Sequence, residues 1–377
     1  MTPQSPSPNI NYLWTDLLIE ELIRQGVTYF CIAPGSLSAP LAAAVARNPK
    51  AKAFIHWDER ALGFLALGYA RASGQGVACI TTSGTAVGNL FPAVIEASAS
   101  RISLVILTAD RPPELRDCGA NQAVDQSKIF GEYVRWFNEL PCPTPEISPT
   151  LVLTTAAQLV SRSKGRNPGP VHLNCLFREP LAPTVVDQLR IPTFVQDYYE
   201  GAAPFTKESP SVTSPAHESL KSIARELDPV SDGVVVLGEL SNQIEPFALR
   251  ALLSRLSWPV IPDVLSGFRQ ESNSGLTIHL ADLLLQERDL WPGLQPQAVL
   301  HIGGKLTSKR IQQWIAASRP RVYVKIQNSE SRLDPDHQIR TRCVGDIEET
   351  CALLGQMILP RPPSSWTRKW LKLNETT

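Results

Sequence analysis

The chain has 377 residues, 36 acidic and 36 basic, and a formal net charge of zero. That length is too great for one compact core, so about two domains are expected. With no basic stripe and no apolar run long enough to span a bilayer, nucleic acid and a membrane span are excluded as expectations. Residues 1 to 11 lack the basic and apolar regions of a signal peptide and read as a frayed terminus. Seven cysteines without CxxC or Cys/His metal spacing, several inside apolar runs, imply buried reduced thiols and no metal site. A cytoplasmic location is expected, or the plastid stroma in a photosynthetic eukaryote.

The first 180 residues alternate strand-like apolar runs with amphipathic helices. Helical spacing runs from Leu13 to Arg24, and Thr28 to Ala33 is a strand ending in Pro34-Gly35-Ser36. A helix from Leu41 to Ala46 precedes a strand, Ala53 to Trp57, which ends in Asp58-Glu59 and turns into a helix from Ala61 to Arg71. Val77 to Thr82 is a strand, Ser83-Gly84-Thr85 a tight turn, and Val87 to Ala97 a helix. The strand Leu104 to Thr108 leads into Ala109-Asp110-Arg111-Pro112-Pro113. A helix from Leu151 to Lys164 and a strand from Gly169 to Cys175 close the set. Near-continuous apolar strands separated by helices imply a parallel sheet covered on both faces.

From Ala182 to His217 the composition shifts to Pro, Ser and Thr, the signature of a surface linker. A second α/β unit follows. Its strands are Gly233 to Gly238, Pro259 to Pro262, Ala298 to Ile302 and Arg321 to Ile326, and its helices Glu245 to Leu256 and Ser308 to Ala317. The run Val234 to Gly238 lacks a following GxGxxG and reads as plain sheet core. The tail from Arg361 is short and polar, with no new core expected. The expected fold is α/β, two doubly wound parallel-sheet domains spanning 10–182 and 221–360, joined by a linker over 183–220 and ending in a tail over 361–377.

Three loops at strand C-termini could carry chemistry. Pro34-Gly35-Ser36 offers a hydroxyl and backbone N–H groups. Ser83-Gly84-Thr85 opens a helix that favours an anion. Asp110-Arg111-Pro112-Pro113-Glu114 holds a guanidinium on a stiff loop, suited to a carboxylate. Any one of them is also compatible with an ordinary turn or cap. Glu59, at the carboxyl end of its strand, lies where open α/β sheets place ligands. It could equally be a surface acid stabilising a helix dipole by under ~1 kcal/mol, a role Asp58 could fill instead. His56 and His172 read as core histidines. Lys309-Arg310 begin a helix, where cations oppose the dipole, which favours an anion nearby.

Several strings carry a family resemblance. They are Ile32-Ala33-Pro34-Gly35-Ser36, Asp58-Glu59-Arg60, Thr82-Ser83-Gly84-Thr85-Ala86, Leu107 to Leu115 (Leu-Thr-Ala-Asp-Arg-Pro-Pro-Glu-Leu) and Asp117 to Gln122 (Asp-Cys-Gly-Ala-Asn-Gln). In the second half they are Asp263-Val264-Leu265-Ser266, Leu306-Thr307 with Lys309-Arg310, and Arg332-Leu333-Asp334-Pro335. From Asn11 to Leu359 the chain resembles the MenD family, thiamine-diphosphate-dependent 2-succinyl-5-enolpyruvyl-6-hydroxy-3-cyclohexene-1-carboxylate synthases of menaquinone and phylloquinone biosynthesis. The resemblance implies a pyrimidine-binding domain followed by a middle domain. It implies that Glu59, shielded by apolar neighbours, hydrogen-bonds the cofactor's aminopyrimidine and activates its internal base, with Ser83, Gly84 and Thr85 also on the cofactor. Ser36, Arg111, Asn121, Gln122, Lys309 and Arg310 match the family's substrate positions for 2-oxoglutarate and isochorismate.

Two departures follow. Family members carry Arg after the Pro-Gly-Ser turn, where this chain has Leu37; a lost carboxylate clamp is worth about 2–3 kcal/mol. The family's third domain, with the Gly-Asp-Gly…Asn-Asn motif that holds the diphosphate through magnesium, has no counterpart here. The resemblance therefore implies no metal ligand in this chain, an isolated chain without turnover, and either a homo-oligomer or a separate chain supplying the diphosphate domain. A reading from another class is a non-catalytic fragment, an anion-binding or dimerisation module of a thiamine-enzyme relative. An acetolactate-synthase relative fits the Arg-Pro-Pro and Ala-Asn-Gln strings less well.

Overall fold

The computed structural model describes residues 7–186, 189, 191–209, 213–240, 246–269 and 275–376, which form two compact units divided at 210/211. Both are layered α/β structures with an all-parallel sheet, as the alternating pattern requires.

The first unit runs α1 (Ile10–Arg24), β1 (Tyr29–Ile32), α2 (Ala39–Arg47), β2 (Lys52–Ile55), α3 (Glu59–Ser73), β3 (Val77–Thr81), α4 (Thr85–Asn89), α5 (Phe91–Ser100), β4 (Leu104–Asp110), β5 (Phe137–Leu140), α6 (Thr150–Lys164), β6 (Val171–Leu176) and α7 (Thr193–Glu200). The sheet order is β2-β1-β3-β4-β6-β5. One face packs Leu18, Leu22, Leu41, Val152 and Leu159 from α1, α2 and α6. The other packs Leu62, Ala66, Leu90 and Val94 from α3 to α5. The small residues of α3 serve close packing: a Cβ on Gly63 would lie 2.9 Å from that of Ala93.

The second unit runs α8 (His217–Leu227), β7 (Gly233–Leu237), α9 (Phe247–Leu256), β8 (Val260–Pro262), α10 (Ala281–Leu284), β9 (Ala298–Ile302), α11 (Lys309–Ser318), β10 (Val322–Gln327), β11 (Thr341–Val344), α12 (Ile347–Met357) and α13 (Ser365–Thr376). Its sheet order is β11-β10-β9-β7-β8. Helices α8, α9 and α12 cover one face, and α10, α11 and α13 the other.

Five expectations change. The single helix expected over Val87 to Ala97 is two, because Pro92 sits in the first turn of α5 and has no N–H to continue α4. The linker contains α7, latched to α1: Glu21 accepts from Tyr198 Oη at 2.7 Å, and the Arg24 guanidinium lies 3.9 Å from the Tyr198 ring centre. The tail adds core after all. Trp370 of α13 is fully buried, its ring 5.4 Å from that of Trp314 in an edge-to-face contact. β5 joins the first sheet as an edge strand whose mixed polarity hid it from the apolar pattern. His56 is not core: it lies half-buried after β2, its Nδ1 accepting from Asp58 N at 3.0 Å. Glu245, the expected start of a helix, lies outside the described residues; α9 begins at Phe247.

His172 is the core histidine anticipated, its Nε2 2.8 Å from the Thr108 hydroxyl. Burial depresses its pKa to about 3. Six of the seven cysteines are buried free thiols and Cys118 is exposed. Burial pushes the Cys31 thiol up to about 12.

Candidate functional site

In the first unit, the loops after β2, β1, β3 and β4 emerge side by side at the carboxyl edge of the sheet, because those strands are consecutive neighbours. Close backbone approach brings them together. A Cβ on Gly35 would meet Thr82 Cβ at 2.4 Å, so the Ser36 turn rests directly on the end of β3. Gly84 has φ +81°, and a Cβ there would meet Gln122 Cγ at 2.8 Å.

Glu59 opens α3. Asp58 is the cap, accepting from Ala61 N at 2.9 Å, so Glu59 has no capping duty. Its Oε2 accepts from Asn89 Nδ2 at 3.0 Å. That contact depends on the break after α4, which leaves Asn89 as the last residue of its short helix. The apolar shield expected around Glu59 is not built within this unit: Glu59 is half-buried, β2 is an edge strand, and Trp57 and Ile55 are 81% and 67% exposed.

Ser83 and Gln122 are engaged reciprocally. Ser83 Oγ donates to Gln122 O at 2.9 Å, and Gln122 Nε2 donates to Ser83 O at 2.9 Å. Gly84 N–H donates to Gln126 Oε1 at 2.9 Å, so this amide serves an internal contact. Thr85 and Ser36 are exposed. Arg111 donates to Asn121 O at 3.2 Å, while its buried Nε finds no partner. Leu37 turns inward, 2% exposed in the first core, so the position at which the family carries Arg is here a packing position.

Beneath these loops lies a polar network that the apolar pattern of the strands concealed. Arg116 donates to Asp110 Oδ2 at 3.0 Å and Glu139 Oε2 at 2.7 Å. Asn174 donates to the same two carboxylates at 2.8 and 2.9 Å. Glu139 first, then Asp110, raise the pKa of the Arg116 guanidinium. Arg178 brackets the neighbouring turn, and its guanidinium holds the Glu114 carboxyl down at about 2. Asn174, Asp110 and Thr108 were the available signal: polar residues inside otherwise apolar strands.

In the second unit, Lys309 is exposed and Arg310 half-buried at the start of α11. Carboxylates of the chain itself lie beside this helix start. Asp263 accepts from Thr307 N at 2.6 Å and Ser308 N at 3.4 Å, and Arg310 lies 3.6 Å from the Asp282 carboxylate. A cavity of about 420 Å³ is lined by Asp263, Arg269, Asp282, Lys309 and Arg310. A second, of about 490 Å³, is lined by His301, Lys305, Tyr323, Arg332 and Gln338. It sits beside a buried pair in which Lys325 Nζ donates to His301 Nε2 and Gly304 O, both at 2.7 Å. Burial, then the Lys325 charge, drive the His301 pKa well down. Among the described residues no group of three or more His, Cys, Asp or Glu stands together as a cation site. No helix among them is long and apolar enough to cross a membrane.

Residues 14–129 match the sequence model of the thiamine pyrophosphate enzyme N-terminal TPP binding domain, and residues 192–377 that of the middle domain of thiamine pyrophosphate enzymes. Curated relatives carry the name 2-succinyl-5-enolpyruvyl-6-hydroxy-3-cyclohexene-1-carboxylate synthase. That of Rubrobacter xylanophilus is 41% identical over 97% of this chain and 63% of its own length. That of Salinibacter ruber is 43% identical over 98% of this chain and 63% of its own length. The Pelodictyon phaeoclathratiforme relative is 39% identical over 92% and 58%. The chain thus spans under two thirds of the length of these relatives.

Proposed function

The chain belongs to the thiamine pyrophosphate enzymes, and on that premise we propose that it lies on the branch of its 2-succinyl-5-enolpyruvyl-6-hydroxy-3-cyclohexene-1-carboxylate synthase relatives and that its first unit supplies the aminopyrimidine half of a thiamine diphosphate site. The activity proposed is decarboxylation of 2-oxoglutarate and transfer of the succinyl unit to isochorismate, in the cytoplasm, with a second copy of the chain as the proposed partner. When bound, the cofactor supplies a thiazolium carbon that becomes nucleophilic on losing its proton.

The observation that carries this reading is the placement of Glu59. Asp58 has taken the capping role, Asn89 fixes one carboxylate oxygen, and Oε1 makes no hydrogen bond among the described residues. A carboxylate held this way at the mouth of the sheet fits a protonated ring nitrogen: Glu59 accepts that proton in a hydrogen bond and keeps it at the ring. The Ser36, Ser83 and Gln122 loops gather on the same edge, and Arg111 offers a guanidinium to a substrate carboxylate. Leu37 offers none, so carboxylate recognition at this edge falls to Arg111.

The test is turnover. The chain is combined with the remaining C-terminal part of the Salinibacter ruber relative, thiamine diphosphate, magnesium, 2-oxoglutarate and isochorismate. Carbon dioxide release that requires all components is expected. Release that needs no cofactor, or none from a mixture in which the full-length relative is active, contradicts the proposal.

A further inference from the structure

The loop from 111 to 136 is long and largely irregular, yet it is tied down at a few definite points. Asp117, Gln122 and Lys128 adopt positive φ values of 53–56°, so its path is set by contacts rather than by local backbone preference. Two of its ties run from Arg111 to Asn121 O and from Gln122 to Ser83 O. The deepest tie is Gln126, 1% exposed and assigned no role in the functional reading.

Gln126 touches three elements at once. Its Oε1 accepts from Gly84 N at 2.9 Å, at the start of α4. Its Nε2 donates to Ala109 O at 3.2 Å, on β4, and to Asn174 Oδ1 at 2.9 Å, on β6. Asn174 in turn donates to Asp110 and Glu139, which hold Arg116 at the other end of the loop. An amide is the one neutral side-chain group of this reach that can accept on one atom and donate twice on the other. We infer that Gln126 is a positioning residue that locks the Ser83-Gly84 turn to the substrate-facing loop, so that the cofactor and substrate sides of the edge keep one geometry. It touches neither ligand; it acts through Gly84 and Gln122.

The kinetic arm rests on the functional reading above, and the exchange arm does not. In the turnover assay, Gln126→Met removes both donors and the acceptor while keeping the length of the side chain. It should lower kcat by about 100-fold, the scale of an ångström-sized misplacement, with a smaller rise in KM for 2-oxoglutarate. Gln126→Glu supplies a rescue. Ionised, its carboxylate faces Ala109 O and Asn174 Oδ1, with the Asp110 and Glu139 carboxylates and the Arg116 guanidinium one residue beyond and neutral His172 across Thr108. Protonated, it again accepts from Gly84 and donates from the other oxygen. Its kcat should therefore climb towards the wild-type value as pH falls, a limb absent from the wild type. A Gln126→Glu profile parallel to the wild type at all pH, or an unchanged kcat in Gln126→Met, overturns the inference.

Amide hydrogen exchange on the chain alone gives the independent arm. Gln126→Met should speed exchange at least tenfold in both 82–88 and 111–125, leaving β1 and β3 protected. Acceleration confined to the loop, or absent, overturns the inference even where the turnover assay is silent. Coupled acceleration with an inactive wild-type mixture sinks the functional reading and leaves the positioning role standing.

Discussion

The carboxyl edges of the two sheets are built from the same kind of strand and end differently. In the first unit the edge is layered: exposed Ser36, Thr85, Asn121 and Gln122 above, and Gln126, Asn174 and Asp110 beneath, tied by hydrogen bonds that link β4, β5 and β6 to the turn after β3. In the second, Asp263 turns back onto the start of α11 and satisfies the amides of Thr307 and Ser308 itself. A helix start that carries its own anion has less electrostatic need of a ligand, whereas Glu59 retains an oxygen to offer. Shared architecture therefore predicts little about which edge works; the pairing of polar groups decides it.

That contrast can be broken in several places, and a large effect is expected in the core of the second unit. Trp370→Ala removes a fully buried ring stacked edge-on against Trp314 and should destabilise the second unit by about 3–5 kcal/mol, measured by urea unfolding, with the first unit unaffected. Next comes acid. His172 is neutral in the fold because burial lowers its pKa to about 3, against an ordinary 6.5. Below pH ~6.5 the unfolded chain binds a proton that the folded chain refuses, so this contribution is complete above that pH and is lost as pH falls towards 3. At ~1.4 kcal/mol per pH unit the loss is at most on the order of 5 kcal/mol, complete only near pH 3. His172→Gln should flatten the dependence of stability on pH in that window, and an unchanged slope contradicts the assignment.

Arg116→Met leaves the Asp110 and Glu139 carboxylates facing each other without their shared cation. Because Arg116 is about one-third exposed, water offsets part of the cost, and a loss of about 2 kcal/mol is expected in the first unit. Asp263→Ala exposes the amides of Thr307 and Ser308 and should cost about 1–2 kcal/mol. It should also create weak sulfate binding at α11 that the wild type lacks, measured by calorimetry. Sulfate binding of equal strength in the wild type would erase the contrast between the two edges.

Fold class was legible because β1, β3, β4, β7, β9 and β10 are mostly apolar runs, and they are covered on both faces, as a parallel sheet packed twice requires. β5 and β11 were not, being half-buried edge strands whose polar residues face solvent or a network. α7 and α13 were hidden in Pro- and Ser-rich surroundings, where one or two buried aromatics, Tyr198 and Trp370, do the anchoring. Glu59, Ser83 and Gln122 were legible as residues, through position and resemblance. What joins them was not: Asn89, Gln126 and Asn174 come from separate stretches, and only the sheet order brings them together. The inward turn of Leu37 was equally invisible, since the sequence shows a missing charge but not where its replacement packs.

The central claim is that the Glu59 carboxylate, fixed by Asn89 at the first edge, drives the chemistry. In the complete turnover mixture, Glu59→Gln keeps the size and the Asn89 contact but cannot accept the ring proton as a carboxylate does. The account predicts a fall in kcat of at least ~100-fold with circular dichroism and unfolding midpoint unchanged; a Glu59→Gln variant within about twofold of the wild-type rate would contradict it.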